Sequence, residues 1–570
     1  MKRYTRPLAG TLLTVILAFV LAACGSSSSS SSSAAATGSA SSSSSSGASS
    51  ASASGGTITL VVGTAPDSLD PQFGYTTQAA EADWLAYTGL TTYAHAPAPA
   101  GGVVIPGLAT ALPTVSDGGK TYTATLRKGL TFSDGKPVHA SDFVWTVERA
   151  IKLPWGGSGQ YLTAQIKGAT AFASGKAKTI SGITADDASG KITIHLNTPY
   201  GPFDNVLAFP ALGIVPKGTP FKNQPNSPPP GVGPYVLANI VPNASFQLNR
   251  NPKWAAMNIP GIPAGHVNVD VKINSNVNAN ALSVLNNTAD VFDWTDTIPG
   301  SLLPQIKSQA AARFKQVNPG GSTYYIFMNT KTKPFNNQLV REAVVTGLSQ
   351  DAMNRLGSGT LVPGCYFLPP GIIGHPTGPC PYGTPGAGDL AKAKALIKQS
   401  GLAGTPVTVW SETRTPRQQW MTYYTQFLNQ IGLKATQKVI ADATYFTTIG
   451  NLKLNAQTGF DDWNQDFPNP IDFYLLLQKT AILPTNNQNH GQVADPQIDS
   501  QSTKLGQVPS GKLSTIASQW QALDEYVAKK AYVGVFGYQT FPQFTSTKIN
   551  FGAVVFQPLY GPDWSSFQTK

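Results

Sequence analysis

Residues 108–149 read LATALPTVSDGGKTYTATLRKGLTFSDGKPVHASDFVWTVER, and this stretch carries a strand, a turn and a helix in quick succession. Apolar and polar residues alternate from Tyr122 to Leu126, which predicts a half-buried strand. The Ser-Asp-Gly sequence at 133–135 predicts a tight turn. Ser141 can then cap a helix whose apolar stripe recurs at spacings of three and four, at Phe143, Val144, Val147, Ala150 and Ile151.

Strands and helices alternate in the same way along most of the chain. The segments Thr57 to Val62 and Lys191 to Leu196 both predict strands. Further helices are expected to begin after the N-cap residues Asn337 and Asp389, and another along an apolar stripe that includes Trp520. This alternation predicts a mixed α/β fold. Because 570 residues exceed one ordinary core, we expect two or three domains or lobes.

The composition is typical of a secreted globular protein. Hydrophobic residues make up 41% of the chain, and charged residues only 12%, about half the usual share. Three charges of the formal +11 come from Lys2, Arg3 and Arg6, and the remaining excess is spread thinly. Since no run of Lys and Arg forms a basic stripe, we expect no nucleic-acid partner.

The N-terminus has the pattern of a bacterial lipoprotein signal. An apolar run from Leu8 to Val20 follows the positive segment, and Leu-Ala-Ala-Cys ends it at Cys24. The run is short for a membrane-spanning helix, so an uncleaved anchor is the less favoured alternative. We therefore expect residues 1–23 to be removed and Cys24 to carry lipid. The protein would then be extracytoplasmic, anchored at the outer face of the cell membrane or in the periplasmic space.

A low-complexity segment separates Cys24 from the globular body. Gly25 to Gly56 consists almost entirely of Ser, Ala and Gly. Such a segment cannot bury enough apolar area to offset the entropy of ordering. We expect residues 24–56 to be a disordered tether with a reach of roughly 30 Å.

The cysteines and histidines indicate export rather than catalysis. Cys365 and Cys380 lie 15 residues apart in a loop rich in Pro and Gly, where either a disulfide or two free thiols can exist. Only His375 lies near them, so a metal site is disfavoured. The sequence contains no His-Glu-x-x-His motif and no Gly-x-Ser-x-Gly motif. We expect no metal, no cofactor and no catalytic residue.

A concentration of aromatic, amide and acidic residues marks the candidate ligand site. The segment DDWNQDF at 461–467 combines carboxylates, amides and an indole, and we interpret it as a loop. Such a loop is hard to bury unless a polar group meets it. Tyr324, Tyr325 and Trp410 are further candidates for the aromatic walls of a cleft, although each alone could also pack in a core.

Beyond these patterns, the sequence resembles the family 5 (oligopeptide/dipeptide-type) extracellular solute-binding proteins of ABC importers. The stretch at 108–149 is similar to the signature block of that family, and the resemblance covers roughly residues 57–570. Further similar segments lie at Pro66 to Pro71, Leu90 to Tyr93, Gly231 to Tyr235, Arg250 to Trp254, Phe327 to Lys331, Pro334 to Phe335 and Val340 to Ala343.

The resemblance implies a two-lobed α/β fold like that of type II periplasmic binding proteins, in the large three-subdomain variant with a hinge between the lobes. It divides the chain into lobe I at 57–92, 226–320 and 533–570, an extra subdomain of lobe I at 93–225, and lobe II at 321–532. The two crossovers between the lobes are expected near Val317–Ser322 and Val533–Tyr538.

The resemblance also implies a function and a site. Family members capture a small peptide between the lobes and deliver it to the permease and ATPase subunits of an ABC importer, and we expect a monomer. In peptide-binding members a carboxylate in a Trp-x-x-Asp stretch pairs with the α-ammonium of the ligand, and Trp463 to Asp466 matches that spacing. The expected ligand-binding residues are Asp466, Trp463, Asn464, Trp410, Tyr324 and Tyr325.

Several alternatives stay open. Phe467 to Asn469 departs from the family pattern after the motif, so a sugar, an opine or a nickel chelate could replace the peptide. Arg414 and Arg417 are candidates for the carboxylate of the ligand, against the alternative of a solvated surface. A secreted lipoprotein hydrolase would need an acid/base pair of carboxylates, which adjacent loop residues rarely provide. A signalling or adhesive module that kept the fold is the third possibility.

Overall fold

The computed structural model describes residues 55–153 and 155–570. The predicted signal peptide, Cys24 and nearly all of the predicted tether lie outside the described residues. Within the described ranges, no helix has the length and apolar character needed to cross a membrane.

A seven-stranded mixed sheet forms the framework of the part that we call lobe I. Its strands, in spatial order, are Phe314–Val317, Phe541–Thr545, Val291–Phe292, Thr57–Val62, Asn268–Ile273, Ser245–Arg250 and Tyr235–Val241. The β-branched strand Thr57–Val62 is confirmed, and it runs parallel to both of its neighbours. The carboxyl ends of these three strands therefore meet at one edge of the sheet.

A six-stranded mixed sheet forms the framework of lobe II. Its strands, in spatial order, are Leu361–Val362, Val533–Gln539, Ser322–Met328, Thr458–Asn464, Pro406–Glu412 and Lys434–Ile440. Strand Pro406–Glu412 runs parallel to Lys434–Ile440 and Thr458–Asn464, so these three strands also end at a common edge.

The extra subdomain contains a four-stranded antiparallel sheet next to a long helix. The strands are Thr114–Ser116, Thr121–Thr125, Lys191–His195 and Ile183–Asp186. The predicted helix is confirmed as Ala140–Lys152, and it buries Phe143, Val147 and Ala150. Ser141 as its cap is wrong, because Asp142 accepts the backbone N–H of His139 and Ser141 instead donates to Asp187.

The helices pack on the faces of the sheets. The predicted caps at Asn337 and Asp389 are confirmed, because each side chain accepts a backbone N–H of the helix that follows it. The α-helices of the described chain are Thr77–Ala86, Ala140–Lys152, Ala169–Ala173, Phe203–Val206, Trp254–Met257, Val277–Leu285, Leu303–Gln309, Gln338–Gly347, Gln350–Leu356, Leu390–Ser400, Arg417–Gln430, Tyr445–Ile449, Pro470–Tyr474, Pro496–Leu505 and Ala517–Lys529. A π-helical segment spans Ser158–Thr163. Two hairpins pair Thr91–Tyr93 with Val104–Pro106, and Phe556–Gln557 with Gly561–Pro562.

Two short links join the two large sheets. The first is residues 318–321, within the predicted crossover at Val317–Ser322. The second is Thr540, between strand Val533–Gln539 of lobe II and strand Phe541–Thr545 of lobe I. The predicted crossover at Val533–Tyr538 is therefore displaced, because this segment stays paired with Ser322–Met328 in the lobe II sheet.

Two local anchors tie distant segments together. Arg149 of the extra subdomain forms a bidentate ion pair with Asp70 of lobe I, and both side chains are fully buried. Cys365 and Cys380 form a disulfide with their Cα atoms 5.9 Å apart, which closes the Pro- and Gly-rich loop of lobe II.

Candidate functional site

Asp466 lies where lobe I, the extra subdomain and lobe II meet. It follows strand Thr458–Asn464 by two residues, beyond the carboxyl end of that strand. The hydroxyl of Tyr75 in lobe I donates to Asp466 Oδ2 at 2.6 Å. The hydroxyl of Tyr161 in the extra subdomain donates to the same oxygen at 2.9 Å. One carboxylate of lobe II is therefore held by both other parts of the chain.

A second carboxylate, Asp472, holds the backbone of Asp466 in place. Its Oδ2 accepts the indole N–H of Trp463 at 3.0 Å and the backbone N–H of Asp466 at 2.8 Å. Its Oδ1 is 3.1 Å from the Tyr161 hydroxyl. Asp472 lies in the first turn of helix Pro470–Tyr474 and is fully buried, so it fixes both the indole and the loop that carries Asp466.

The two carboxylates share negative charge without a cation. No Lys, Arg or His side chain among the described residues forms an ion pair with Asp466 or Asp472. Burial raises the pKa of Asp466 to about 6, and the hydrogen bonds from Tyr75 and Tyr161 oppose that rise. Burial, followed by the charge of Asp466, raises the pKa of Asp472 well above its usual range. A positively charged group placed here would meet two carboxylates and no competing cation.

Aromatic rings form the walls around this carboxylate pair. Tyr75 and Trp155 pack edge to face with their ring centroids 5.5 Å apart. Tyr161 packs edge to face on Phe467 and stacks on Phe209. Apolar walls with a few fixed polar groups are the usual lining of a ligand site, because they exclude water and strengthen each polar contact.

The structure brings two of the six predicted ligand residues together. Trp463 and Asp466 meet through Asp472, and Asn464 lies between them in the chain, at the end of the strand. The side-chain oxygen of Asn464 is buried and has no hydrogen-bond partner within the described part of the chain. The interpretation of 461–467 as a loop is wrong for its first half, since Asp461 to Asn464 belong to strand Thr458–Asn464.

The other three predicted residues are buried away from Asp466. Tyr324 packs against Trp420 and Phe460, and Tyr325 packs edge to face on Phe367. The ring of Trp410 is covered by the ammonium of Lys438 at 4.2 Å and lines an open pocket of about 450 Å³ with Lys331, Lys333 and Gln457. Within the described chain, none of these three side chains bonds to Asp466, Asp472 or their tyrosine partners.

The two basic candidates differ from each other. Arg417 is buried rather than on the surface, because it donates to Glu412 at 2.8 Å and to Asp462 at 2.7 Å. Arg414 reaches across from lobe II, where its Nη2 donates to the backbone carbonyl of Thr295 in lobe I at 2.8 Å. Of the two, Arg414 is therefore the one that makes a contact across the lobes, and its charge opposes the rise in the pKa of Asp293 and Asp296.

Three residues of the site had not been expected from the sequence. The position of Asp472 could have been predicted from the local sequence, since Asn469 and Pro470 are typical of a helix start and an acidic residue favours the first turn. No local sequence signal indicates Tyr75 and Tyr161, because they lie 391 and 305 residues from Asp466 along the chain.

Comparison with known proteins identifies the family. The family model described as "bacterial extracellular solute-binding proteins, family 5 Middle" matches residues 103–482, well over half of the chain. The chain belongs to this family.

Curated relatives of this family 5 protein are similar over part of their length. The probable deoxycholate-binding periplasmic protein YgiS of Escherichia coli (strain K12) is 30% identical over 297 residues, covering 50% of this chain and 53% of the relative. The glutathione-binding protein GsiB of Salmonella choleraesuis (strain SC-B67) is 29% identical over 332 residues, covering 56% of this chain and 58% of the relative. The chain thus spans a little over half the length of these relatives.

Solved structures confirm the two-lobed fold of the family 5 protein. The clavulanic acid biosynthesis oligopeptide binding protein 2 superposes with a TM-score of 0.79 at 23% identity, covering 90% of this chain and 96% of that one. The Escherichia coli murein tripeptide binding protein MppA gives a TM-score of 0.75 at 20% identity, covering 90% of this chain and 98% of that one. At these identities the likeness concerns the fold.

Proposed function

We propose that this family 5 protein captures a small peptide between its lobes and delivers it to the permease and ATPase subunits of an ABC importer. One observation carries the proposal: Asp466 stands where all three parts of the chain meet, and within the described residues it has hydroxyl donors but no cation. The α-ammonium of a peptide supplies the missing charge. Peptide or glutathione recognition in the names of similar proteins supports the same ligand class.

The binding step follows from the contacts of Asp466. An ammonium group donates three hydrogen bonds, and charge-assisted bonds to a carboxylate are stronger than those from a neutral hydroxyl. The ammonium would therefore replace Tyr75 or Tyr161 as a donor to Asp466, while Asp472 keeps the loop in place. Because groups of both lobes contact the ligand only when the lobes are closed, binding favours the closed arrangement.

The proposed role is reversible binding without turnover, so the protein would not be an enzyme. It would act as a monomer, without a cofactor. We further propose that Cys24 carries the lipid anchor and that residues 24–56 tether the body near the membrane, as the sequence pattern indicates. The division into two lobes and an extra subdomain remains part of the proposal, with the second boundary moved from residue 533 to Thr540.

A thermal-shift screen of the purified protein tests this function with three ligand classes: di- to hexapeptides, sugars or opines, and nickel chelates. A ligand at 100 times its dissociation constant stabilises the folded state by about 2.7 kcal/mol, which raises the melting temperature measurably. Peptides are expected to produce the shift. Asp466→Asn is expected to remove it without unfolding the unliganded protein.

The matched control is Asp351→Asn, which neutralises an exposed carboxylate of the same lobe and should keep the full shift. A shift with a sugar, an opine or a chelate but not with any peptide would contradict the peptide proposal and leave the importer role standing. Cleavage of a peptide by the protein would contradict the binding role itself.

A further inference from the structure

A second group of carboxylates lies on the lobe I side of the cleft. Asp293 and Asp296 follow strand Val291–Phe292 directly, and Asp296 Oδ2 accepts the backbone N–H of Gly63 at 2.6 Å. Gly63 itself follows the parallel strand Thr57–Val62. Both carboxylates thus lie beyond the carboxyl ends of parallel strands, which is where α/β sheets place their ligands.

An unpartnered side chain on a separate element joins this group. Glu81 on helix Thr77–Ala86 is only 2% exposed, and neither of its carboxylate oxygens has a hydrogen-bond partner within the described chain. Leaving a buried carboxylate unpartnered is costly unless another group satisfies it. Asp293 and Asp296 are the charged groups that face Glu81.

The second carboxylate group and the Asp466 site lie at the two sides of one helix start. Tyr75, which bonds to Asp466, lies two residues before helix Thr77–Ala86. Gln78, three residues later, donates to the Thr295 hydroxyl at 2.9 Å. Thr295 in turn donates its backbone N–H to Asp293. Tyr75 and Gln78 of this helix start thus connect the Asp466 site to the loop that carries Asp293 and Asp296.

Lobe II places one cation near this group. Arg414 donates to the Thr295 carbonyl at 2.8 Å and, within the described residues, forms no ion pair with Glu81, Asp293 or Asp296, although its charge opposes the rise in the pKa of Asp293 and Asp296. Burial, then the charge of Asp293, raises the pKa of both Glu81 and Asp296, and the pKa of Asp296 still reaches about 7. The guanidinium of Arg414 therefore offsets only part of the cost of ionising these carboxylates.

We propose that the solute carries a second cationic group that binds among Asp293, Asp296 and Glu81, so that the preferred ligand is a short peptide with a lysine or arginine side chain. This inference rests on the proposed function. Among the described residues, no three His, Cys, Asp or Glu side chains are placed to hold a metal ion, which favours an organic cation. Ammonium and guanidinium groups are matched to carboxylates as hydrogen-bond donors.

Isothermal titration with matched peptides tests the inference. Tripeptides that contain lysine at the second or third position are compared with peptides in which norleucine, which has the same length but no charge, replaces the lysine. The lysine peptides are expected to bind at least about tenfold more tightly, as charge-assisted hydrogen bonds imply. The double variant Asp293→Asn with Asp296→Asn should reduce this preference to within about twofold.

Two further variants complete the test. Asp270→Asn, in the lobe I sheet and paired with Lys272, should retain the tenfold preference. Glu81→Gln removes the unpartnered carboxylate and should lower the preference even if the double variant does not fold. Equal binding of lysine and norleucine peptides to the unaltered protein would overturn this inference alone. Failure of every peptide to bind would overturn the proposed function and this inference with it.

Discussion

At the scale of single residues, Asp466 is a buried carboxylate that has no cationic partner among the described residues. Its neighbours in the same segment are paired: Asp462 with Arg417 and Asp461 with His490, at 2.7 and 2.8 Å. Among the residues that the structure describes, the Asp466 side chain accepts from the hydroxyls of two tyrosines and meets no cation, and burial raises its pKa to about 6. An ionised Asp466 therefore costs folding free energy that a bound cation would offset.

The raised pKa of Asp466 predicts a pH-dependent effect of Asp466→Asn on the unliganded protein. Because the folded pKa lies above the unfolded value of about 4, the penalty is absent below pH 4, grows between pH 4 and 6, and is complete above pH 6. At pH 7.5 the variant should be more stable than the unaltered protein by about 1–3 kcal/mol. Urea unfolding of both proteins at pH 4.5 and 7.5 measures this difference.

The exposed Asp351→Asn variant serves as the reference and should change stability little at either pH. A stability difference for Asp466→Asn that is the same at both pH values would mean that Asp466 keeps an ordinary pKa. The strain assigned to its unpaired charge would then be absent.

The family resemblance could predict part of the site but not the residues that contact it. The Trp-x-x-Asp stretch of the family pointed to Trp463 and Asp466, which the structure joins through Asp472. Tyr75 was unpredictable because its contact with Asp466 depends on how separate lobes pack. The burial of Arg417 was not predicted, since nothing in its local sequence shows that Asp462, 45 residues away, would neutralise it in the interior.

Among the helices and strands, local sequence signals were enough to predict an element wherever local contacts determine its structure. Helix Leu390–Ser400 begins at the predicted cap Asp389 and ends at Gly401, which has φ +69°. Strand Thr458–Asn464 was mistaken for a loop because its acidic residues are uncommon in buried strands. Its charges are tolerated only because His490 and Arg417 meet them from distant parts of the chain.

The loop closed by Cys365 and Cys380 supplies a prediction at the scale of an element. A disulfide that closes about 15 residues stabilises a protein by about 3 kcal/mol in the chain-entropy model. Hydrogen bonds within the loop, such as that from the Tyr366 hydroxyl to the Pro379 carbonyl, retain part of the order. The double variant Cys365→Ser with Cys380→Ser should therefore lose about 2–3 kcal/mol of unfolding free energy in urea.

Reductant provides the control for this element. It should destabilise the unaltered protein to the level of the double variant and leave the variant unchanged. If reduction and substitution both leave the unfolding free energy as it was, the disulfide does not hold the loop.

Across the whole molecule, the three parts contact one another directly. The extra subdomain touches lobe II through the backbone bond of Gly201 to Gly506 and the side-chain bond of Asn205 to Ser510. Arg414 joins lobe II to lobe I. The overall two-lobed fold could be predicted from the resemblance, whereas the position of the second link at Thr540 depends on strand pairing that only the folded chain reveals.

A crystal structure of the protein with a lysine-containing tripeptide tests most directly whether a peptide binds between the lobes with its ammonium on Asp466. We expect the ammonium nitrogen about 2.7–2.9 Å from the Asp466 carboxylate, with Tyr75 or Tyr161 displaced as a donor. We also expect the lysine side chain among Asp293, Asp296 and Glu81. A peptide bound with its ammonium elsewhere, while Asp466 still accepts both tyrosine hydroxyls, would contradict this binding mode.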